Sequence, residues 1–397
     1  MKKLIFLLIL FANCAFARVK NGDQIPDINF QTVLNAPVKN IKLSQLRGQI
    51  VLIEFWATWC GSCLEAMPHL KQLQQKHAGK LRVITVTDET ATRIGQYLAV
   101  KPSSLWFAID TGRAITQVFP HQLIPHTVLI SADGKLIANT SPELITDKVM
   151  DSLVNKQEVH LAEKKDNTLD YEELLKKYFF AADTVKSRFT MLPEIKGAPG
   201  LSKTYLDDSV FNGRRLTCLN LGLTTLYRLA NNDFPYSRMI DSSGEPKNAP
   251  VYCLDLIAAN KNELLPALQR ELAQRFDLQA RVEQQTKDVY VLQVIDPGKV
   301  KTIPVNTSGK RTYYARHGEI DQQDITMDDF AGYLESYGIG QSVVNETQLS
   351  GNFDIKFSFQ PENPASLTQI LSNMGLSLKK EKRQIDMLVL YKQKTTK

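Results

Sequence analysis

"EFWATWCGSCLEAMPHL" (residues 54–70) is the stretch that decides how the first third of this chain folds. It continues an apolar, β-rich run, "GQIVLIEFWATW" (48–59), which predicts a buried strand. Cys60 and Cys63 follow directly, and apolar residues then recur at helical spacing until Gly79. The sequence therefore predicts a strand that delivers a cysteine pair to the first turn of a helix.

The elements that follow alternate in type. The sequence predicts a strand in "KLRVITVTD" (80–88), a helix in "ETATRIGQYLAV" (89–100), a strand in "SSLWFAID" (103–110) and a hairpin in "HTVLISADGKLIANT" (126–140). Strands alternating with helices indicate an α/β fold. We therefore expect a central sheet flanked by helices.

A cysteine pair at the start of a helix has a specific chemical consequence. The helix dipole and the free N–H groups of the first turn favour thiolate over thiol. Cys60 is then expected to be the more exposed of the two and the nucleophile, and Cys63, one turn later, can resolve a mixed disulfide. The alternatives are a structural disulfide and half of a zinc site, but zinc needs a second ligand pair, and His69 and His77 are poorly placed to supply one.

This segment resembles the thioredoxin superfamily, and within it the exported, TlpA-like thiol–disulfide reductases. The matching features are the motif Trp59-Cys60-Gly61-Ser62-Cys63, Pro68 in the following helix, Glu54 in the preceding strand, and Ile124-Pro125 in "IPHTVLI". The resemblance covers about 135 residues, from the segment "GDQIPDINF" (22–30) onward.

The resemblance implies a role for each matching residue. Glu54 would be the buried acid that exchanges a proton with the resolving thiol. Pro125 would be a cis-proline facing the disulfide, Ile124 would offer backbone hydrogen bonds to an extended substrate, and Trp59 would flank that substrate. It also implies protein thiols and disulfides as partners, an upstream electron donor, no metal, and no cofactor beyond the Cys60–Cys63 disulfide.

The N-terminus "MKKLIFLLILFANCAFA" (1–17) has the layout of a secretory signal peptide. Two lysines precede an apolar run too short to span a bilayer, and Ala15-Phe16-Ala17 forms an A-x-A cleavage site. We expect cleavage after Ala17 and a soluble protein of the periplasm or cell envelope. Lipidation at Cys14 is the alternative, and the large Asn13 before it opposes that alternative.

Length and charge limit the remaining possibilities. A chain of 397 residues is long enough for two or three domains. The formal net charge of +6 is spread among acidic residues, so the sequence does not predict a nucleic-acid surface. After the redoxin domain (18–155), the polar, helix-prone stretch 156–205, which also carries Pro and Gly, is interpreted as a helical and extended linker.

The rest of the chain contains an internal repeat. "LQARVEQQTKDVYVLQV" (278–294) aligns without gaps with "LSLKKEKRQIDMLVLYK" (376–392), and each reads as a strand, a charged turn and a second strand. The sequence therefore predicts an α+β region of two β-α-β-β-α-β-β modules, at 206–300 and 301–397. The arrangement resembles an uncharacterised bacterial domain family found behind redoxin domains. It resembles more weakly the small N-terminal modules of secretins and TonB-dependent receptors, which bind proteins or peptides.

Two further cysteines, Cys218 and Cys253, fall in predicted strands of the first module. An even number of cysteines in an exported chain favours pairing, so we expect a structural disulfide between them. Two free buried thiols, or a pair that serves as substrate of the chain's own redoxin domain, are the alternatives.

These patterns together predict an exported thiol–disulfide oxidoreductase that reduces protein disulfides. A second hypothesis is a docking protein in which the duplicated half, with a protein or peptide partner, is the working part. A third is a thiol peroxidase, but the Pro and Thr that precede a peroxidatic cysteine at fixed spacing are absent before Cys60.

Overall fold

The computed structural model describes residues 19–167, 169–246, 249–316 and 318–392. The predicted signal peptide, 1–17, lies outside the described residues. The chain divides into two compact units, one ending at Asp166 and the other beginning at Asn167. Within the described ranges, no helix combines the length and the apolar character that a membrane crossing requires.

The first unit contains eight named strands and four α-helices among its described residues. The strands are β1 (Asn29–Phe30), β2 (Val33–Leu34), β3 (Ile41–Lys42), β4 (Ile50–Phe55), β5 (Leu81–Thr87), β6 (Trp106–Ile109), β7 (His126–Ile130) and β8 (Leu136–Thr140). The helices are α1 (Gly61–Lys76), α2 (Ala91–Val100), α3 (Ala114–Val118) and α4 (Asp147–Val154), with 3₁₀ turns at Leu43–Leu46 and Pro142–Leu144.

Six of these strands form one sheet in the order β2-β6-β5-β4-β7-β8. β4 pairs in parallel with β5 and antiparallel with β7, so it lies inside the sheet. Val51, Ile53 and Phe55 face one apolar cluster, while Leu52 and Trp56 face the other. Because both faces are covered, the strand is apolar throughout except at Glu54. This is the thioredoxin-like α/β fold that the sequence predicts.

The second unit contains three sheets. Its strands are β9 (Arg188–Pro193), β10 (Leu201–Thr204), β11 (Arg215–Gly222), β12 (Met239–Ser242), β13 (Val251–Ile257), β14 (Leu278–Val294), β15 (Ala315–Arg316), β16 (Glu319–Ile325), β17 (Val343–Asn345), β18 (Phe353–Ser358) and β19 (Leu376–Lys392). Its helices are α5 (Tyr171–Tyr178), α6 (Leu223–Ala230), α7 (Leu264–Arg275), α8 (Pro297–Val300), α9 (Met327–Tyr333) and α10 (Pro364–Asn373), with 3₁₀ turns at Tyr236–Arg238 and Lys261–Glu263 and a π-helical turn at Leu334–Ile339.

The two halves of this unit share one order of main elements. β11-α6-β12-β13-α7-β14 in the first module corresponds to β16-α9-β17-β18-α10-β19 in the second. The predicted extra strand at the end of each module is wrong. Residues 278–294 and 376–392 are each a single strand of 17 residues, without a turn.

The two long strands explain why no turn forms. β14 and β19 pair antiparallel along their whole length, so each supplies the backbone partners of the other's charged middle. The gap-free alignment equates Thr286 with Gln384, and these two residues face each other at the centre of the pairing. A local two-fold relation therefore links the two strands. The modules also interlock, since β12 pairs with β19 and β17 pairs with β14.

The predicted linker, 156–205, contributes one helix, α5, and two strands, β9 and β10, to the second unit. β9 and β10 are the outer strands of the sheet β10-β11-β13-β9. Leu174, Leu175 and Phe179, from and just after α5, pack into an apolar cluster against that sheet. This packing cannot be predicted from local sequence, because the packing partners lie tens of residues further along the chain.

The predicted disulfide between Cys218 and Cys253 is replaced by two free, buried thiols. Cys218 faces Leu254 across the strands and packs in the same cluster, whereas Cys253 packs in the cluster on the opposite face of the sheet. Burial raises the pKa of Cys218 to about 12, with the neighbouring Cys253 and Asp255 adding to the effect. The sheet geometry therefore separates the two sulfur atoms.

Candidate active site

The end of β4 and the start of α1 hold the Cys60–Cys63 pair, which is joined as a disulfide. Cys60 is the N-cap of α1, and the backbone N–H of Cys63 donates to its Sγ at 3.3 Å. Cys60 exposes 6% of its surface and Cys63 exposes none. Pro68 lies inside the helix, in the position that the sequence predicts. The outer sulfur is thus the one that a substrate can reach, and a backbone donor stands ready to stabilise its thiolate.

A partly buried carboxylate, that of Glu89, holds the loop that precedes the pair. Glu89 accepts hydrogen bonds from the backbone N–H and the hydroxyl of Thr58, both at 2.7 Å. Arg93 also donates to the Thr58 hydroxyl at 3.0 Å. Glu89 was not predicted from the sequence, because nothing local in "DETATR" (88–93) marks it as a partner of Thr58, about thirty positions earlier. These hydrogen bonds to Thr58 help to fix the position of the next residue, Trp59, which is 59% exposed.

Glu54 lies in β4 on the same sheet face as Leu52 and Trp56, the face against which both cysteines pack. It is fully buried, and the hydroxyl of Thr127 on β7 donates to its Oε2 at 2.5 Å. Its Oε1 has no hydrogen-bond partner among the residues that the structure describes. The pKa of Glu54 is raised to about 8, mainly by burial and also by the charge of Glu143, while the Thr127 hydrogen bond opposes the rise. Such a carboxyl can hold a proton near neutral pH and release it.

The loop before β7 contains the Ile124–Pro125 peptide bond, which is cis, as the resemblance implies. Lys164 and Asp166, which lie at the end of the first unit, form a clamp that holds this loop in place. Asp166 accepts from the backbone N–H groups of Gln122 and Leu123 at 2.7 and 2.9 Å. Lys164 donates to the carbonyl of Leu123 at 2.8 Å and to Asp166 at 2.5 Å.

This clamp was missed from the sequence. Lys164 and Asp166 lie in a charged stretch, "AEKKDN", that reads as a solvated surface. In the structure their side chains expose only 16% and 9% of their surface. A partly buried, mutually paired lysine and aspartate that bind backbone groups hold the loop in place.

A pair of stacked histidines supports the same loop. The rings of His121 and His126 lie 4.7 Å apart and nearly parallel, and Phe55 contacts both. Burial lowers the pKa of His126 to about 3, and the neighbouring His121 and Lys164 lower it further. His126 is therefore neutral at physiological pH, and it acts as packing beside the site.

A small cavity of about 140 Å³ lies beside the exposed indole of Trp59. Its lining includes Trp59, Ile124, His121, Gln122 and Arg113. Trp59 and Ile124 are two of the predicted substrate-binding residues, and the fold brings them to one cavity although they are 65 positions apart in sequence. Pro125, the third predicted substrate-binding residue, directly follows Ile124 in the sequence. Cys218 and Cys253 belong to the second unit.

Over 19–167, 169–246, 249–316 and 318–392, no cluster of three or more His, Cys, Asp or Glu residues has the geometry to hold a metal ion. Nε2 of His69 lies 2.8 Å from the carbonyl oxygen of Ile145.

Two parts of the chain match known families. Residues 20–155 match the model of the Redoxin family, and residues 240–392 match a family described as a protein of unknown function (DUF3738). A thiol-disulfide oxidoreductase ResA of Bacillus cereus is 34% identical over 122 residues, which cover 30% of this chain and 69% of that protein. ResA of Bacillus thuringiensis subsp. konkukian is 31% identical over 138 residues, covering 34% and 78%.

Among solved structures, the exposed lipoprotein thioredoxin of Streptococcus pneumoniae is 19% identical and covers 33% of this chain and 99% of its own, with a TM-score of 0.30. The central sheet and the cysteine pair at a helix start define a thioredoxin-like thiol–disulfide oxidoreductase. With the ResA relatives, the chain belongs to the redoxin family, and it carries a C-terminal domain of unknown function behind its redoxin domain.

Proposed function

We propose that this protein is an exported reductase of protein disulfides. The observation that carries the proposal is the surroundings of the Cys60–Cys63 pair: a backbone donor on the outer sulfur, a buried carboxyl with a raised pKa behind the pair, and a clamped cis-proline loop beside a cavity. The relatives named thiol-disulfide oxidoreductase support the reaction class. The leader-like residues 1–17 support export.

The reaction divides the work between the two sulfur atoms. The Cys60 thiolate attacks one sulfur of a substrate disulfide, forms a mixed disulfide and releases the other substrate sulfur as a thiolate. Cys63, once deprotonated, attacks Sγ of Cys60, releases the second substrate thiolate and closes the Cys60–Cys63 disulfide. The substrate gains two electrons and two protons, so an upstream dithiol must reduce the enzyme again before the next turnover.

Glu54 handles the proton of Cys63 in this scheme. A carboxyl whose pKa is about 8 has a proton affinity close to that of a thiol, so it can pass a proton to or from the buried sulfur without an energetically costly intermediate. The ionised Glu54 carboxylate accepts one hydrogen bond, from the Thr127 hydroxyl, and its other oxygen has no partner among the described residues. That free oxygen is the one available to exchange a proton.

The cis-proline loop and the cavity beside Trp59 position the substrate in this proposal. The backbone of Ile124, held from behind by the Asp166 and Lys164 clamp, would pair with an extended substrate segment. Trp59 and the cavity beside it would take a substrate side chain next to the disulfide.

A glutathione redox titration of the mature chain tests the proposal, with thiol trapping as the readout. A reductase is expected to give a two-electron couple near that of thioredoxin, about −270 mV, which a Cys60→Ser, Cys63→Ser variant lacks. A couple near about −120 mV would assign the oxidising direction instead. Absence of any reversible couple would refute a redox role for the pair.

A further inference from the structure

Strand β9 shows how one sheet edge in this protein is completed. β9 pairs antiparallel with β13 along six residue pairs, from Tyr252–Pro193 to Ile257–Arg188. Phe189 faces Leu256, and Met191 faces Leu254, so both β9 side chains pack against the apolar core of the first module. An extended segment from outside the module thus fills both the sheet edge and the space beside it.

Strand β18 is the counterpart of β13 in the second module. The pairing of β11 with β13 is interrupted by a bulge at Asn220, and that of β16 with β18 by a bulge at Asp324, both with positive φ (46° and 57°). The N–H of Asn220 donates to Cys253, and the N–H of Asp324 donates to Asp354, each at 3.1 Å.

Because Asp354 stands where the first module has Cys253, the following residues of the two strands correspond in turn. Ile355 takes the place of Leu254, Lys356 that of Asp255, and Phe357 that of Leu256.

The edge of β18 is covered only at its beginning. The backbone N–H of Asp354 donates to the carbonyl of Pro304 at 2.9 Å, and Val305 bridges to Phe353. In an antiparallel strand, alternate residues point their backbone groups to the same side, so Lys356 and Ser358 point theirs to this edge as well. No residue in the described part of the chain pairs with their outward N–H groups.

A cavity of about 630 Å³ borders the uncovered part of the edge. Its apolar lining comes from Ile303, Ile355, Phe357, Ile370 and Met374. In the first module the corresponding space, beside Leu254 and Leu256, holds the two apolar side chains of β9.

The charges at the two edges are opposite. In the first module, Arg188 of the incoming strand bonds Asp255 at 2.6 Å. The second module has Lys356 in the place of Asp255, and its side chain is 78% exposed and forms a solvent-exposed ion pair with Asp321 at 2.5 Å. An incoming strand is therefore complementary to this edge when it carries an acidic residue where β9 has Arg188.

We propose that the β18 edge is a docking site for an extended segment of a partner protein, which adds to the sheet as an antiparallel strand. The segment has an acidic residue followed by two apolar residues at alternate positions, which enter the cavity. A second copy of this chain is the poorer fit. Pairing two β18 strands in the register of β9 on β13 places Asp354 opposite Ser358 and needs the N–H of Asp354, which already donates to the carbonyl of Pro304.

Fluorescence anisotropy with labelled pentapeptides tests this, using the mature full chain. The probe SEFTM is the β9 sequence SRFTM (187–191) with Glu in place of Arg188. We expect saturable binding of SEFTM, about two- to five-fold tighter than SRFTM, and the opposite preference in Lys356→Glu. Lys382→Glu, an exposed charge reversal on β19, is the matched control and should leave the preference unchanged.

Two peptide changes test the docking mode without altering the protein. Replacing both apolar residues with Ser, or the Thr between them with Pro, should each weaken binding at least about ten-fold, because the first change empties the cavity and the second removes a sheet hydrogen bond. The proposal is overturned if neither charged peptide binds, or if the Lys356→Glu variant keeps the wild-type preference. It is also overturned if the chain is a dimer that Lys356→Glu dissociates, since a second copy would then cover the edge.

Discussion

Replacing the buried carboxyl of Glu54 with an amide should make the redoxin domain more stable, by an amount that grows with pH. The pKa of Glu54 is about 8 in the folded chain, against an ordinary value of 4.5. Between these values the folded protein holds a proton that the unfolded chain has released. Folding stability therefore falls as pH rises through this window, by about 1.4 kcal/mol per pH unit.

The size of the effect follows from the width of the window. At pH 7, about 2.5 units above the ordinary value, Glu54 costs about 3 kcal/mol of stability, and the cost levels off near 5 kcal/mol above pH 8. Glu54→Gln carries no titrating group, nearly preserves the volume, and keeps an oxygen that can accept from Thr127. We expect the variant to match the wild type near pH 4 and to exceed it by about 3 kcal/mol at pH 7.

Urea unfolding of the disulfide-bonded form at several pH values measures this difference. All three tryptophans, Trp56, Trp59 and Trp106, lie in the redoxin domain, so tryptophan fluorescence reports on that unit alone. Glu143→Gln is the control, because removing a charge that raises the folded-state pKa of Glu54 should make the wild-type decline end at a lower pH, while its onset, set by the unfolded chain, stays in place. Parallel stability profiles of wild type and Glu54→Gln would refute the reasoning, since Glu54 would then be ionised in the folded state.

Three further outcomes are expected. Cys63→Ser should accumulate a mixed disulfide with substrate, seen by non-reducing mass spectrometry, whereas Cys60→Ser should form none; equal trapping by both variants would contradict the assigned roles. Asp166→Asn should lower kcat/KM for disulfide reduction about ten-fold, mainly through KM, because it loosens the backbone that presents substrate; an unchanged KM would rule out the clamp. Cys218 and Cys253 should react with an alkylating reagent only after the chain is unfolded, and no reductant should be needed. A requirement for reductant would instead support the predicted Cys218–Cys253 disulfide.

Features that depend on neighbours in the chain were predictable from the sequence. The strand, the cysteine pair and the helix lie within thirty residues, and hydrophobic period and helix-end chemistry are local properties. The cis-proline at Pro125 was also expected, through the family pattern that the motif residues carry. The repeat was visible because 278–294 and 376–392 keep the same residue types without gaps.

Features that depend on packing between distant residues were decided only by the tertiary structure. The charged middle of β14 reads as a turn by itself, and it stays extended because β19 pairs with it along its whole length. Cys218 and Cys253 cannot be judged from spacing, because the face each occupies is set by the register of β11 on β13. The clamp on the cis-proline loop and the open edge of β18 likewise arise from contacts between residues tens of positions apart, which local sequence periodicity does not reveal.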